Sequence, residues 1–298
     1  MRLFFFFFFC LSSFVFSRTH KEIVLDSPSY VGGGGFFHNF NIVLGCLDLI
    51  DQHHENSLRV DFKEQGLYYE PAKGSNWWSY YFDSVYFPSQ SPSKKRAIIK
   101  TLSDQAKGGL GNGAHFFFSR ERASYLINRY IKIKPEILAE VECFASKFFL
   151  NKKIIGVHYR GSDKWLEANY IGYDSVIDAV MKVASQEDCL IFVATDEKQF
   201  LDKMVQVFHE RVVFTNSQRS EDGKPLHYHT TSPYMQGREA LIDTLLLAKS
   251  EVLFRTNSNL SAVSAFFNPK MIVYNLNQVR QEWFLELIKE GSPNELNR

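Results

Sequence analysis

A histidine, an arginine and an aspartate stand at His158, Arg160 and Asp163 in the pattern H-x-R-x-x-D, directly after an apolar run at residues 154–157. Residues two apart in an extended chain face the same side, so His158 and Arg160 are expected to point together into a crevice. A guanidinium stays charged and can bind phosphate through two parallel hydrogen bonds. We expect Asp163 to orient Arg160 or Lys164. The segment predicts a phosphate-binding site, and the alternative is a salt bridge at a surface strand end.

Four further polar residues occupy positions suited to a nucleotide. Asp196 ends the apolar run Val-Ala-Thr-Asp, where a helix cap is the alternative role. Asp243 lies among apolar residues of a predicted helix and could accept the two N–H donors of a guanine edge; the alternative is a polar residue at the edge of the core. Ser258 and Asn259 open a helix, and hydroxyls and backbone N–H groups at a helix start suit phosphate.

Three other features allow more than one interpretation. Residues 109–114, Gly-Leu-Gly-Asn-Gly-Ala, fit a dinucleotide-binding pattern but do not directly follow a predicted strand, so a mobile loop is the alternative. His227 and His229 could bind a metal with a third ligand or be solvated. Trp77 and Trp78 could stack on a sugar or pack in the core.

The elements that must position these residues alternate regularly after residue 151. Apolar runs predict strands at 154–158, 189–194, 211–214, 251–255 and 271–274. Between and after them, helices are predicted at 174–184, 198–208, 238–249, 259–267 and 278–289. Such alternation is typical of parallel β-α-β units, whose ligands bind outside the carboxyl ends of the strands.

The first half predicts a similar but less regular unit. Strands are expected at 22–26 and 58–62, with a helix at 36–50 between them. Ser119 is expected to cap a helix that begins at Arg120, and Pro135 to open another that runs to about residue 150. We therefore predict an α/β protein with two facing Rossmann-like lobes, residues 18–150 and 151–298.

The first 17 residues have the composition of a targeting segment. Arg2 precedes an apolar stretch that is shorter than the ~20 residues of a membrane-spanning helix. A signal peptide or a signal-anchor is expected, with a poorly ordered apolar tail as the alternative. The protein is accordingly expected in the secretory pathway or tethered to a membrane, on either side. Cys46, Cys143 and Cys189 have apolar neighbours and are expected to be buried thiols.

The overall charge argues against nucleic acid as a partner. The chain has 34 basic and 33 acidic residues, which gives a net charge of +1. Nucleic-acid-binding proteins usually carry a basic surplus. The apolar fraction of 45% is sufficient for a packed core.

Taken together, four of these features resemble the fucosyltransferase superfamily. They are H-x-R-x-x-D-K, the Ala-Thr-Asp strand end, the Leu-Ile-Asp helix and the Ser/Asn strand-to-helix turn, and they lie between residues 154 and 268. The superfamily contains α-1,6-fucosyltransferases, nodulation chitooligosaccharide fucosyltransferases and protein O-fucosyltransferases. The glycines at 32–35, which include Gly33 and Gly34, are similar with Asn39 to the family's glycine-rich first loop.

The resemblance implies two Rossmann-like lobes of the GT-B type and an inverting transfer from GDP-fucose without a metal or another cofactor. It implies that Arg160 contacts the diphosphate, while His158 and Asp243 hold the nucleoside. Lys164 and Ser258 would lie near the phosphates. The chain departs from the family at Gly161, where α-1,6 members often have a second arginine.

The acceptor implied by the resemblance is a glycan or protein hydroxyl, and Glu167 is the candidate catalytic base. The chain contains no Asp-x-Asp triplet, the metal-binding pattern of many other glycosyltransferases. Protein cations must then neutralise the leaving diphosphate, and Arg160 and Lys164 are the candidates. Two alternatives remain: an NAD(P)-dependent oxidoreductase that uses the loop at 109–114, and a non-catalytic carbohydrate-binding protein on the same fold.

Overall fold

The computed structural model describes residues 21–25, 34–53, 56–64, 66–85, 96–97, 119–161, 170–186, 188–223 and 232–277. Within these residues the protein is an α/β structure with one parallel sheet on each side of residue 150. The signal-peptide and signal-anchor hypotheses concern residues outside these ranges, as does the helix predicted at 278–289.

The first sheet is three-stranded and has the order β2-β1-β3. Its parallel strands are β1 (Lys21–Leu25), β2 (Asn56–Val60) and β3 (Arg96–Ala97). Helix α1 (Phe36–His53) lies between β1 and β2 in the chain. Two more helices precede the second sheet: α2 (Arg120–Tyr130) and α3 (Pro135–Phe148). The β-α-β unit predicted from the sequence is therefore confirmed for this half.

The second sheet has five parallel strands in the order β6-β5-β4-β7-β8. The strands are β4 (Lys153–Tyr159), β5 (Cys189–Thr195), β6 (Val212–Val213), β7 (Val252–Arg255) and β8 (Ile272–Asn275). The helices are α4 (Tyr173–Ala184), α5 (Lys198–Phe208), α6 (Pro233–Leu247) and α7 (Asn259–Phe267). The chain moves outward from β4 to β6 and then returns to the other side of β4. The strand order thus reverses between β4 and β7, which is where ligands bind in open α/β sheets.

Strand β4 lies at the centre of this sheet and is covered on both faces. Ile155 and Val157 pack with α4 and α5 on one face, while Ile154 joins the core on the other. A Cβ at Gly156 would lie 2.7 Å from Ser250 Oγ, so this glycine permits the close approach of the segment after α6. Burial on both faces explains the continuous apolar run that predicts a parallel strand.

One hydrophobic cluster extends across both halves of the chain. It contains residues of α1, α2 and α3 together with residues of β4, α6 and α7, among them Phe40, Leu126, Ile137, Ile154, Leu241 and Val263. The helices that precede residue 150 therefore pack against elements of the second half. The lobe boundary near residue 150 remains a prediction.

Serine caps fix several helix starts. Ser119 Oγ accepts from the N–H of Arg122 at 3.1 Å, which confirms the predicted start of α2. The predicted start of α6 at residue 238 is wrong, because Pro233 and the preceding cap Ser232 begin the helix five residues earlier. Ser232 Oγ accepts from the N–H of Met235 at 3.2 Å. Proline at the first helical position loses no hydrogen bond and has a suitable φ.

Smaller corrections concern the edge strand and one thiol. Strand β6 is shorter than predicted, since residues His209–Arg211 form a 3-10 turn before it. Cys46 and Cys189 are buried as expected, but Cys143 is exposed on α3. Among the described helices, none combines the length and the apolar character that a membrane crossing requires.

Candidate functional site

The carboxyl edge of the second sheet collects the predicted site residues. His158 and Arg160 come at the end of β4, and Asp196 follows β5. Ser258 follows β7 and begins α7. Because β4 neighbours both β5 and β7, these three strand ends meet around the point where the strand order reverses.

Arg160 is held at this point from two sides. Its Nη1 lies 3.1 Å from Asp196 Oδ2, and the N–H of Gly161 donates to Asp196 Oδ1 at 3.2 Å. On the other side, the backbone N–H of Arg160 donates to Thr256 Oγ1 at 2.9 Å. The Arg160 side chain remains 27% exposed. Asp196 therefore orients the arginine, and the alternative role as a helix cap is wrong, because α5 begins with no side-chain cap at Glu197.

His158 is buried, although the sequence predicts that it opens into a crevice with Arg160. It lies opposite Arg255 in the β4–β7 register. Burial, with added repulsion from Arg255 and Arg160, lowers the pKa of His158 to about 3. The imidazole is therefore neutral at physiological pH, and its Nδ1 has no hydrogen-bond partner in the described structure.

Asp243 lies buried on α6 and faces the segment after β6. Its Oδ1 accepts from Thr215 Oγ1 at 2.6 Å, and its Oδ2 accepts from Ser217 Oγ at 3.3 Å. Burial raises the pKa of Asp243 to about 6, although the two hydroxyls and the charge of Arg219 lower it. Arg219 also donates to the carbonyls of Thr215 and Ser217, which fixes this turn around the carboxylate.

The first turn of α7 supplies the third part of the edge. Ser258 Oγ accepts from the N–H of Leu260 at 3.3 Å and caps the helix. The Asn259 side chain accepts from Asn41 Nδ2 at 3.4 Å, which links this turn to α1. Helix starts present N–H groups that lack helical acceptors and carry partial positive charge, an arrangement that favours an anion.

The glycine-rich loop leads into α1, the helix whose Asn41 contacts the first turn of α7. Asn39 Nδ2 donates to the carbonyl of Gly34 at 2.9 Å and to that of Gly35 at 3.2 Å. The side chain of Asn39 thus fixes the end of the loop, and Asn41 on the same helix reaches Asn259. Gly34 is described, whereas Gly33 lies outside the described residues.

Several of the predicted site residues lie outside the described part of the chain. Asp163, Lys164 and Glu167 lie outside the described residues, as do residues 109–114, His227 and His229. In the part of the chain that is described, no three His, Cys, Asp or Glu side chains form a group that could hold a metal ion. Trp77 and Trp78 are buried among aromatic rings, so the core role is the correct one and sugar stacking is not.

Glu197 is an acidic residue that the sequence analysis missed. It is buried beside Gly161 and accepts from Tyr173 Oη at 2.7 Å. Burial raises its pKa, although the hydrogen bond from Tyr173 opposes the shift. Its position directly after Asp196, at the carboxyl end of β5, is the sequence signal that could have identified it. The close contact also explains the glycine at position 161, since a Cβ there would lie 2.2 Å from Glu197 Oε2.

Comparisons with known proteins concern the overall sequence and the fold. No protein-family model matches the sequence. Nodulation protein Z of Bradyrhizobium diazoefficiens is 23% identical in an alignment of 220 residues that covers 67% of this chain. The chain spans 59% of the length of that relative.

Crystal structures of NodZ α-1,6-fucosyltransferase have the same α/β fold with a parallel sheet, which is GT-B-like. The structure co-crystallized with GDP has a TM-score of 0.55 at 16% identity, covering 86% of this chain and 94% of that one. The structure soaked with GDP-fucose has a TM-score of 0.53 at 18% identity, covering 86% of this chain and 96% of that one. In sequence this chain is therefore similar to nodulation protein Z, and in fold it is similar to NodZ α-1,6-fucosyltransferase.

Proposed function

We propose that the protein is a glycosyltransferase that moves fucose from GDP-fucose to a hydroxyl of a glycan or protein, with inversion at the anomeric carbon. The observation that carries the proposal is the placement of Arg160 between Asp196 and Thr256 at the point where the strand order reverses. The similarity to NodZ, which was co-crystallized with GDP and soaked with GDP-fucose, supports GDP-fucose as the donor.

The nucleoside would bind on the β6 side of the carboxyl edge and the diphosphate on the α7 side, with the end of β4 between them. Asp243 offers a buried carboxylate beside β6 that can accept from the two N–H groups of guanine, and His158 offers a neutral imidazole at β4. Arg160 and the first turn of α7 offer a fixed cation and helix N–H groups to the phosphates. This arrangement extends the donor along the carboxyl edge of the sheet.

In the proposed reaction the acceptor oxygen attacks the anomeric carbon from the face opposite the diphosphate. The bond between that carbon and the phosphate oxygen breaks, its electron pair stays on GDP, and the hydroxyl proton passes to a base. Arg160 stabilises the negative charge that grows on the leaving phosphate. Glu167 remains the candidate base.

Metal independence is part of the proposal. Arg160 supplies the positive charge that a divalent cation supplies elsewhere, and Lys164 is the second candidate. The leader at residues 1–17 is proposed to direct the protein into the secretory pathway or to tether it to a membrane, where a glycan or protein acceptor would be met.

A thermal-shift titration with GDP, GDP-fucose, UDP and NAD⁺ tests the donor assignment. Ligands that bind the folded state raise the melting temperature with their concentration, so GDP and GDP-fucose should give the largest shifts. Transfer is then measured with labelled GDP-fucose on glycan and protein acceptors, with and without a chelator. Shifts with UDP or NAD⁺ that equal those with GDP would overturn the donor assignment. Activity that is lost in chelator and restored by manganese would overturn metal independence.

A further inference from the structure

Arg255 carries a positive charge that the fold buries beside the candidate donor site. It is the last residue of β7 and is 6% exposed. Its Nε donates to Ser261 Oγ at 3.0 Å, and its Nη2 donates to the carbonyl of Ser258 at 3.1 Å. Both acceptors belong to the cap and first turn of α7, so the guanidinium holds that turn from the side of the sheet.

No carboxylate in the described part of the chain pairs with this guanidinium. The charged group that acts on it is another cation, Arg120. In the strand register Arg255 lies opposite His158. Burial, with added repulsion from Arg120, lowers the pKa of Arg255 to about 10, so the group is still charged at neutral pH. A buried charge without a counter-charge opposes folding, because hydrogen bonds to neutral groups replace only part of its hydration.

The location of this charge indicates what compensates it. Arg255 ends one of the two strands that border the strand-order reversal, and Arg160 follows the other. The N–H groups at the start of α7 add partial positive charge at the same place. Arg160 and Arg255 thus place positive charge at both strands that border the reversal. In the described part of the chain, only Arg160 of the two has a carboxylate partner, an arrangement that favours an anionic ligand there.

We propose that Arg255 is a positioning residue for the donor diphosphate, acting through Ser258 and Ser261 to fix the first turn of α7 and adding positive potential behind it. The inference rests on the proposed function, because it assigns the diphosphate to this turn. Arg255 does not touch the phosphates in this proposal. It determines where the N–H groups of the turn lie, and it favours a negative ligand in front of them.

A second arginine, Arg211 in the 3-10 turn before β6, provides a matched control. Arg211 Nε donates to the carbonyl of Cys189 at 3.1 Å, and its Nη2 donates to the carbonyl of Ala184 at 2.7 Å. Cys189 begins β5, so Arg211 supports backbone at the amino edge of the sheet, away from the strand ends that carry the site. If Arg255 only held backbone in place, as Arg211 does, then replacing either arginine would have the same effect on ligand binding.

The experiment compares Arg255→Met with Arg211→Met by measuring the dissociation constants of GDP and guanosine, alongside melting curves. Arg255→Met should weaken GDP binding by about 10-fold, because the first turn of α7 loses the two hydrogen bonds that fix it and the positive potential behind it. Guanosine has no phosphate, so its affinity should change by less than about 2-fold. Arg255→Lys keeps the charge and should recover part of the GDP affinity. Arg211→Met should leave both affinities within about 2-fold.

Equal weakening of GDP and guanosine by Arg255→Met would overturn the inference and leave a purely structural role. Unchanged GDP affinity would overturn it as well. If Arg255→Met does not fold, Arg255→Gln and Arg255→Lys carry the same comparison of GDP with guanosine. A parent protein that binds UDP as tightly as GDP contradicts the proposed function instead, and this outcome is visible before any variant is measured.

Discussion

The backbone N–H of Arg160 donates to Thr256 Oγ1 at 2.9 Å, and the N–H of Thr256 donates to the carbonyl of His158 at 3.0 Å. These two bonds join the ends of β4 and β7 across the point where the strand order reverses. The position of the arginine backbone therefore depends on a hydroxyl that lies 96 residues away in the sequence.

Thr256→Val should reduce the transfer rate by about 10-fold, because it removes the acceptor for the Arg160 N–H while keeping the shape of the side chain. A partly buried N–H left without a partner costs about 1–3 kcal/mol. Thr256→Ser restores the hydroxyl and should restore most of the rate. Initial rates at saturating donor, with a melting curve for each variant, measure both effects.

Thr244→Val is the control for the loss of a buried threonine hydroxyl. Thr244 Oγ1 donates to the Ala240 carbonyl within α6, so its removal leaves the ends of β4 and β7 intact. Its rate should stay within about 2-fold of the parent. A Thr256→Val enzyme as active as the Thr244→Val enzyme would show that this hydroxyl does not position Arg160.

The sequence predicts the inner strands of the second sheet well because they are mostly apolar and buried on both faces. Burial of Ile155 and Val157 on one face of β4 and Ile154 on the other produces the continuous apolar run that is typical of a parallel strand. The start of α6 was missed because Pro233 follows a polar segment, and proline is as common in loops as at a first helical turn.

The contacts within the site were predictable only where the residues are close in sequence. His158 and Arg160 share a strand end, so their proximity follows from the pattern alone. The pairing of Arg160 with Asp196 requires that β5 lies beside β4, and the contact with Thr256 requires that β7 lies on the other side. Strand order is a property of the whole sheet, and no local pattern contains it.

Guanosine affinity should fall as the pH drops below about 6. Burial raises the pKa of Asp243 to about 6, so its carboxyl is ionised above that value and protonated below it. Protonation removes acceptor capacity that the proposal assigns to guanine N–H groups. Guanosine is the ligand of choice, because the phosphates of GDP titrate in the same range.

The variant Asp243→Asn separates the titration of the Asp243 carboxyl from other effects of low pH on the protein. The amide does not ionise between pH 5 and 8, so the variant should bind guanosine weakly and without an inflection near pH 6. Dissociation constants measured from pH 5 to 8 for both proteins give the comparison. An inflection that persists in Asp243→Asn would assign the pH dependence to another group.

Gly161→Ala should lower the free energy of unfolding by about 1 kcal/mol. The added Cβ would lie 2.2 Å from Glu197 Oε2, so the carboxylate must move and give up its hydrogen bond from Tyr173. Combining Gly161→Ala with Glu197→Ala removes the clash, and the two effects on denaturant unfolding should then be non-additive. Additive effects in this double-mutant cycle would mean that Gly161 and Glu197 do not compete for this space.

Arg160→Ala should reduce transfer by about 10²–10³-fold, because a fixed cation at the leaving phosphate stabilises the transition state more than the ground state. Arg160→Lys should also lose most activity, since an ammonium cannot form the two-pronged contact. Arg59→Ala is the control: Arg59 pairs with Asp61 at 2.6 Å in the first half of the chain, and its loss should leave transfer unchanged. Initial rates at saturating GDP-fucose and melting curves are recorded for all three variants. A folded Arg160→Ala protein that transfers within a few-fold of the parent would reduce the Arg160–Asp196 pair to a structural salt bridge.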